Sequence, residues 1–381
     1  MTRKTQSTQR GARERVMAVL EHRQPDRVPI DLGGWQSGIS YETYEPLKKF
    51  LGVDAPTRLE ERNQGLAWVD EEVLDRFGVD TRYIFPKLPS DDDLVIREDD
   101  QYTDPWGIVR RRPKGSHYYD IARAPLEGKD RDAVESHPWP YGGLPYEEEA
   151  MRAELARQLG SGCALFSCLA GVFEQATYLR GMEEFYTDVY TDPSMFEAIL
   201  DKVLEVELSM YERFFGIVGE HLDVVQFWGD LGSQKGPLID PDHYRRYIKP
   251  REAALVEYTK QNTSARVCLH TCGSAYAFIP DLIDAGYDLL NPVQTTALDM
   301  EPVRLKREFG RDLVFWGSID TQSTLPFGSE QDVRAEVRAK IDTLGDGGGY
   351  ILAPCHNIQA GTPARNVAAM YDEAQRYGVY G

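Results

Sequence analysis

One histidine and two cysteines have the types and the spacing of a metal site. His270 and Cys272 stand two residues apart in the segment HTCG, and Cys355 follows in the segment APCHN. Residues two apart in a strand point to the same side, so His270 and Cys272 would project together. One imidazole and two thiolates form a soft three-ligand set that suits zinc. Free cysteines are also commonly buried as small hydrophobes, so a packed core is the alternative interpretation.

Eight short apolar segments are the elements that would position these residues. Each has about the length of a strand, and their nearly continuous apolarity is typical of strands buried on both faces of a parallel sheet. The segments span residues 28–34, 81–86, 163–171, 223–232, 266–273, 288–294, 312–320 and 349–357.

The stretches between the later segments have helical patterns. Residues 241–261, 274–286 and 329–345 carry apolar residues at intervals of three and four. The last of them begins with Ser329 and ends at Gly345, a pattern of N-cap and C-terminal stop. Strands alternating with helices indicate an α/β protein. Eight strands and the lack of a GxGxxG motif favour a (β/α)8 TIM barrel over a doubly wound open sheet.

A barrel would bring the candidate ligands together at one end. Gly273 marks the C-terminal end of the fifth predicted strand, and Cys355 lies at an equivalent depth in the last one. Active sites of such barrels lie at the C-terminal ends of the strands. The sequence therefore predicts that His270, Cys272 and Cys355 converge at the barrel mouth.

The residues beyond the barrel segments are concentrated in the first 150 positions. Residues 1–15 are basic and polar and predict a flexible N-terminal tail, which leaves 16–381 as a single barrel domain. Within 93–113, two strand-like stretches flank an Asp-Pro-Trp-Gly turn. We expect this part, around 92–127, to form a β-hairpin inserted in a barrel loop.

Composition and charge exclude several classes of protein. The 381 residues are 41% hydrophobic and 28% charged, which is ordinary globular composition. The formal net charge of −19 makes nucleic acids and anionic membranes poor partners. No apolar run approaches the roughly 20 residues of a membrane helix. Five cysteines without a secretion signal indicate reduced thiols in the cytoplasm.

Beyond single motifs, most of the chain resembles the uroporphyrinogen decarboxylase-like superfamily. The HTCG segment, with Cys355 following at a distance, is similar to the His-x-Cys…Cys zinc signature of its methylcobalamin:thiol methyltransferases. Further similar segments are VLEHRQPDRVPIDLGG, DPWGIVRRR, LAGVFEQATYLRGMEEFYTDVYTDP, FWGDLGSQKGPLIDPDHYRRYIKP, WGSIDTQSTLPFG and GGGYILAPCHNIQAGTPARNVAAMYDEAQRYG.

The resemblance implies a zinc-dependent methyltransferase on a barrel that is often a homodimer. Zinc would be held by His270, Cys272 and Cys355, with Glu174 as the fourth ligand. A helix N-terminal acid is the other interpretation of Glu174. The methyl group would move between a small methylated substrate or a thiol and a corrinoid. Since the chain has no DxHxxG-type corrinoid segment, the corrinoid would arrive on a partner protein.

Further polar and aromatic residues stand at or near predicted strand ends. Asp230 and Asp320 are candidates for acid–base work, although Asp is also common in turns. Candidates for substrate binding are Asp31, Trp35, Gln226, Trp228, Trp316, His356 and Gln359. His356 would point away from Cys355 if the strand stayed regular, so Cys355 is the preferred ligand.

Two other functions stay open at this point. The first is a decarboxylase or lyase on the same barrel, acting on a small carboxylated substrate. The decarboxylase branch carries an arginine-rich RQAGRY-type segment after the first strand, whereas this chain has DLGGWQSGIS, without arginine. The second is a non-catalytic protein that binds a small molecule.

Overall fold

The fold is built around one parallel sheet of seven strands. A computed structural model describes residues 11–87, 97, 99–141 and 146–380. From one edge to the other, the strands follow the order Tyr350–Pro354, Val314–Ile319, Leu289–Asn291, Arg266–His270, Val224–Trp228, Ala164–Ala170 and Thr81–Tyr83. Each of the seven lies in a segment that the sequence predicts as a strand.

The first predicted strand closes this sheet into a barrel. Ile30 forms a parallel bridge with Leu352 of the last strand. The Ile30 carbonyl also accepts a hydrogen bond of 2.8 Å from the backbone N–H of Asp80, just before the strand Thr81–Tyr83. The eight predicted segments therefore enclose one barrel interior, and the predicted (β/α)8 class is confirmed.

Helices connect the strands and cover the outside of the barrel. The predicted N-cap at Ser329 is present as a capping box, in which Ser329 and Asp332 bond each other's backbone N–H groups. The α-helices are Ala12–Leu20, Tyr41–Leu51, Glu71–Phe77, Arg131–Ser136, Glu148–Gly160, Val172–Arg180, Met182–Thr191, Pro193–Val218, Pro241–His243, Lys249–Asn262, Ile279–Asp284, Pro302–Phe309, Thr324–Phe327, Glu330–Leu344 and Ala364–Tyr377. Short 3-10 turns at Gly219–His221 and Tyr276–Phe278, and a π turn at Tyr244–Ile248, complete the set. No helix within the described ranges has both the length and the apolarity to cross a bilayer.

An antiparallel sheet forms much of the predicted insertion. The turn at Asp-Pro-Trp-Gly joins Gln101–Thr103 to Val109–Arg111, and Asp120–Arg123 adds a third strand that the sequence did not predict. Residues 92–96 and 98 of the predicted insertion lie outside the described residues. The Tyr118 hydroxyl in this insertion donates to the Gln359 side chain after the last barrel strand. The insertion therefore lies against the C-terminal end of the barrel.

The predicted N-terminal tail is shorter than 1–15. Helix Ala12–Leu20 includes four of those residues, while residues 1–10 lie outside the described part of the chain. The Arg13 guanidinium reaches Asp223 at 2.8 Å, and Arg15 is 5% exposed. The prediction is wrong for 12–15 because the basic residues that suggested solvation are used in ion pairs with the barrel.

A buried carboxylate joins the N-terminal helix to the barrel. Asp80 is 1% exposed and lies 2.6 Å from Arg15 Nη1 and 2.7 Å from Arg27 Nη1. It also accepts a hydrogen bond of 2.8 Å from the N–H of Ile30, the residue that closes the barrel. Removing one partner of such a buried network leaves the other charges uncompensated.

We expect Asp80→Ala to lower the free energy of unfolding by about 3 kcal/mol, because buried Arg15 would keep only Asp26 and partly buried Arg27 would lose its carboxylate. Chemical denaturation monitored by circular dichroism measures this change. Asp372→Ala is the matched control, since Asp372 pairs with Arg76 at the surface, where such pairs contribute about 0–1 kcal/mol. Equal effects of the two substitutions would contradict the role given to Asp80.

Candidate metal centre

His270 is held in one orientation at the end of its strand. Its Nδ1 lies 2.6 Å from the Asn291 amide oxygen at the end of the neighbouring strand, and the two residues pair in register. Because an amide oxygen accepts, Nδ1 carries the proton and Nε2 keeps a free lone pair. A hydrogen bond from the ring N–H to a neighbouring carbonyl oxygen is typical of histidines that bind metals.

Cys272 is fixed by the loop that follows the strand. Its backbone N–H donates to Asp230 Oδ1 at 2.7 Å, and its Sγ lies 3.4 Å from His270 Nε2. Gly273 has φ of +77°, and a Cβ there would lie 2.6 Å from the Gly232 carbonyl carbon. Only glycine fits this turn, which places the thiol beside the imidazole as the spacing predicted.

His356 is the third potential ligand in the geometry. Its donor atom and those of His270 and Cys272 lie within 4.8 Å of one another, and theirs is the one such group of three among the described residues. The sequence analysis ranked His356 below Cys355 on the assumption of a regular strand. The strand ends at Pro354, so the following loop turns the imidazole of His356 toward His270, with ring centroids 5.9 Å apart.

Cys355 faces the same cavity but is not part of this group of three. Its thiol donates to the Val293 carbonyl at 3.4 Å, and burial raises its pKa to about 12. The structure therefore brings two of the three predicted ligands together and places the third at the cavity wall beside them. His356, which the sequence analysis ranked below Cys355 as a ligand, is the residue that lies with His270 and Cys272 in the geometry.

The cluster is electrically suited to a cation. Burial lowers the pKa of both His270 and His356 to about 4, so the imidazoles are neutral and able to coordinate at neutral pH. Burial, followed by the charges of Asp230 and Glu174, raises the pKa of the Cys272 thiol well above its ordinary range. A bound metal ion would reverse that balance, because a coordinating thiol is deprotonated by the ion itself.

Two carboxyl groups lie next to the cluster. The Asp230 N–H donates to Glu174 Oε2 at 3.3 Å, and the Tyr178 hydroxyl donates to Glu174 Oε1. Burial, together with the neighbouring Asp230, raises the pKa of Glu174 to about 8, and burial also raises the pKa of Asp230. Arg110 of the inserted sheet lies 5.4 Å above the Tyr178 ring. A cation beside Cys272 would reduce the electrostatic repulsion between the Asp230 and Glu174 carboxylates.

A cavity of about 310 Å³ opens beside the cluster. This volume suits a small ligand. The described residues that line it include no arginine or lysine: they are Tyr118, Gln234, Cys272, Gln294, Asp320, Thr321, Gln322, Cys355, His356 and Gln359. Tyr118, Gln234 and Gln294 were not predicted, because they come from loops and from the insertion, where the sequence has no periodic signal.

Asp320 lies at the cavity, but its carboxylate caps the next helix. It accepts backbone N–H bonds from Gln322, Ser323 and Thr324 at 2.8–3.2 Å. Burial opposes its ionisation, yet the Ser323 hydroxyl and these N–H groups outweigh burial and lower the pKa of Asp320. The case for an acid–base role is therefore weaker for Asp320 than for Asp230.

Three of the predicted substrate-binding residues instead pack the barrel interior. Asp31 accepts hydrogen bonds from Thr81, Tyr83 and Trp316, and Trp316 is 1% exposed. Gln226 accepts from the Cys168 thiol at 3.2 Å within the same interior. Gln226 and Trp316 stand two and three residues before the ends of their strands, and all three side chains are buried away from the cavity, so the structure does not bring them to the candidate site as expected.

Trp35 and Trp228 form an aromatic wall above that interior. Trp35 stacks on Phe85 with centroids 4.5 Å apart and lies 5.7 Å from Trp228. Trp228 pairs in register with His270. Both tryptophans are partly buried and pack against the barrel interior, and neither lines the cavity beside Cys272 and His356.

Comparisons with known proteins place the chain among barrel enzymes of two kinds. The family model described as "Uroporphyrinogen decarboxylase (URO-D)" matches residues 120–377, more than half of the chain. A uroporphyrinogen decarboxylase from Anaeromyxobacter dehalogenans is 22% identical over 96% of this chain and 99% of its own length. The methylcobamide:CoM methyltransferase MtaA from Methanosarcina barkeri is 23% identical over 61% of this chain and 64% of its own.

A solved structure shows the same fold over nearly the whole length. A methyltransferase from Methanosarcina mazei superposes with a TM-score of 0.68 at 18% identity, covering 96% of this chain and 99% of its own. At this identity the likeness shows the fold alone, and the reaction has to be argued from the residues of the site.

We expect the Glu174 carboxyl to contribute less stability to the metal-free protein as the pH rises from about 4.5 to 8, a change that the comparison with Glu174→Gln isolates. Glu174 has its ordinary pKa near 4.5 when unfolded and about 8 when folded, so the folded state holds the extra proton in this window. Relative to Glu174→Gln, the wild type should lose about 2 kcal/mol of unfolding free energy between pH 6 and pH 8. Urea titrations at the two pH values measure the difference.

Glu183→Gln is the matched control, because Glu183 is an exposed glutamate on the following helix. It should follow the wild type at both pH values. An identical pH dependence of the wild type and Glu174→Gln would show that the Glu174 carboxyl is not protonated in the folded protein.

Proposed function

The chain belongs to the uroporphyrinogen decarboxylase family, and within that family we propose that it is a zinc-dependent methyltransferase. It would move a methyl group between a small methylated substrate or a thiol and a corrinoid carried by a separate protein. The observation that carries this proposal is the convergence of His270, Cys272 and His356 at the barrel mouth. The relative named methylcobamide:CoM methyltransferase is consistent with it.

His270 and Cys272 supply two zinc ligands in this proposal. The third comes from the adjacent pair Cys355 and His356: the resemblance favours Cys355, and the geometry favours His356. Imidazole and thiolate donors are the ligands that zinc prefers, and three protein ligands leave one position for a substrate atom. Glu174, proposed from the sequence as a further ligand, lies behind Asp230 and is better placed to balance charge.

Zinc held there would keep a thiolate nucleophilic near neutral pH or polarise a leaving group. Neighbouring residues of the chain hold the proposed ligands in position. Asn291 fixes the tautomer and direction of His270, and Asp230 anchors the Cys272 backbone. Tyr118 and Gln359, which are hydrogen-bonded to each other, wall the cavity on the side of the insertion.

The size of the cavity supports an external methyl carrier. A volume of about 310 Å³ holds a small substrate, whereas a corrinoid macrocycle is far larger. A corrinoid must therefore approach from outside the barrel mouth. This is the basis for proposing a corrinoid protein as partner.

Decarboxylation is the second candidate, because several relatives carry the name uroporphyrinogen decarboxylase. A substrate with many carboxylates needs cationic side chains to compensate its charge. The described lining of the cavity offers amides, hydroxyls, thiols, an imidazole and the Asp320 carboxylate. This lining favours a neutral or thiol-bearing substrate, so methyl transfer is the stronger proposal.

The metal content of purified protein tests the proposed ligands. We expect about one zinc per chain in the wild type, and less than a tenth of that in His270→Ala and Cys272→Ser, measured by elemental analysis. Cys163→Ser is the matched control, because Cys163 lies at the start of another strand and should leave zinc unchanged.

The pair Cys355→Ser and His356→Ala then identifies the third ligand, and only one of the two should lose zinc. Loss in both would give a closed four-ligand site, which is typical of structural zinc and would count against catalysis. Retention in both, or zinc-free wild-type protein that is folded and reduced, would refute the proposed centre.

An activity assay tests the reaction. With free methylcobalamin and a panel of small thiols, we expect zinc-dependent formation of the methyl thioether, detected by mass spectrometry. The sulfur–carbon bond forms while the cobalt–carbon bond breaks, and cobalt keeps the electron pair. Cys272→Ser should reduce the rate at least a hundredfold, about 2.7 kcal/mol in barrier height. Carbon dioxide release from uroporphyrinogen without any thioether would instead establish the decarboxylase.

A further inference from the structure

Gln294 carries the one buried side-chain amide in the described lining of the cavity beside Cys272. Of the other three glutamines there, Gln234 and Gln322 are exposed, and Gln359 engages both ends of its amide with neighbouring residues. Gln294 is 7% exposed. Because burial restricts a side chain, the Gln294 amide can present its atoms to a ligand in a fixed geometry.

The orientation of the Gln294 amide is set by a backbone partner. Its Oε1 accepts a hydrogen bond of 2.7 Å from the N–H of Gly273. Since an N–H group only donates, the amide atom that faces Gly273 must be the oxygen, and the NH2 group forms the other end of the amide. Gly273 directly follows Cys272, so the amide is anchored to the loop that carries the thiol.

The NH2 group of Gln294 is available to a ligand. Neither of its N–H donors has an acceptor among the residues that the structure describes, and the side chain lines the cavity. A buried donor needs an acceptor, either from water or from a ligand. An apolar group that displaced such a water would leave the donors unpaired, and sites built for a hydrogen bond reject analogues that lack the bonding atom.

The charge of the cavity disfavours an anionic ligand. Its described lining contains the Asp320 carboxylate and neither arginine nor lysine. A sulfonate or carboxylate group of a ligand would therefore lack a cationic side chain to pair with in that lining. The oxygen that accepts from Gln294 is thus expected to be uncharged, as in a hydroxyl, an ether or a carbonyl group.

We propose that the cavity takes a small uncharged thiol as the methyl acceptor, with its sulfur at the metal centre and an oxygen atom on the Gln294 NH2 group. This rests on the proposed function, because it names the thiol class of that reaction. The thiol proton is released to solvent, the sulfur–carbon bond forms and the cobalt–carbon bond breaks, with the electron pair left on cobalt. Gln294 is then a residue that determines specificity.

Isothermal titration of the purified protein compares 2-methoxyethanethiol with 1-butanethiol, in which a CH2 group replaces the ether oxygen. We expect 2-methoxyethanethiol to bind at least tenfold more tightly. It should also bind at least tenfold more tightly than 2-mercaptoethanesulfonate, which is anionic. A smaller preference in either comparison, or no binding of any thiol by the folded protein, would overturn the proposal.

Gln294→Glu tests whether the amide causes the preference. The new carboxylate can still accept from the Gly273 N–H, but it presents an oxygen where the wild type presents N–H donors. The ratio of the affinities for 2-methoxyethanethiol and 1-butanethiol should fall at least tenfold, with the zinc content unchanged. This ratio cancels effects common to both thiols, such as a shift of the loop. Gln294→Met serves if Gln294→Glu does not fold.

Gln322→Glu is the matched control. It makes the same change in the same lining, at an exposed side chain whose Oε1 also accepts a hydrogen bond, from the Thr296 hydroxyl. The ratio of affinities should stay as in the wild type. An unchanged ratio in Gln294→Glu, or an equal fall in both variants, would overturn the assignment to Gln294.

Product analysis separates this proposal from the proposed function. With methylcobalamin and an equimolar mixture of the two thiols, the methyl thioether of 2-methoxyethanethiol should exceed that of 1-butanethiol at least tenfold. Equal amounts of the two thioethers would support methyl transfer and overturn the role of Gln294. Selective binding of 2-methoxyethanethiol without any thioether would refute methyl transfer and leave the thiol class of the site standing.

Discussion

Direct backbone contact between neighbouring strand ends fixes the candidate metal centre. A Cβ at Gly273 would lie 2.6 Å from Gly232, and a Cβ at Gly232 would lie 2.6 Å from the Ser274 N–H nitrogen. At Gly171, one strand further along, a Cβ would collide with the Trp228 carbonyl. These glycines let the loops after three strands touch with no side chain between them. The Asp230 carboxylate then reaches the Cys272 backbone and fixes the position from which the thiol projects beside His270.

The charge balance of the site follows from this close packing. Asp230 and Glu174 are drawn together beside two neutral imidazoles and a thiol, in a place where burial disfavours every charged form. Two states satisfy such a cluster: carboxyl and thiol groups that keep their protons, or a bound cation that allows them to ionise. The same residues that make the metal-free site protonated therefore make it receptive to a divalent ion. A cation at this place would therefore favour the ionised forms of both the Cys272 thiol and the two carboxyl groups.

The sequence predicted the framework better than the loops. Buried parallel strands carry a strong apolar signal, and helix 330–344 carries a capping box, so both kinds of element were found near their observed bounds. The HTCG spacing predicted two ligands because strand geometry extends to His270. The same strand geometry predicted that His356 points away from Cys355, and this does not apply because the strand ends at Pro354. Asp31, Gln226 and Trp316 were misjudged since polar and bulky residues inside a barrel satisfy one another across strands, which no local pattern reveals.

The fold alone does not decide between decarboxylation and methyl transfer, since relatives of both names share it at similar identity. The choice between the two reactions therefore depends on the side chains that line the cavity at the barrel mouth. Carboxylates of a tetrapyrrole need cations inside the cavity, and the described residues that line it include no arginine or lysine. Those residues offer amides, hydroxyls, thiols and an imidazole, together with the Asp320 carboxylate. The composition of this described lining is the structural argument against a polycarboxylate substrate in the cavity beside Cys272.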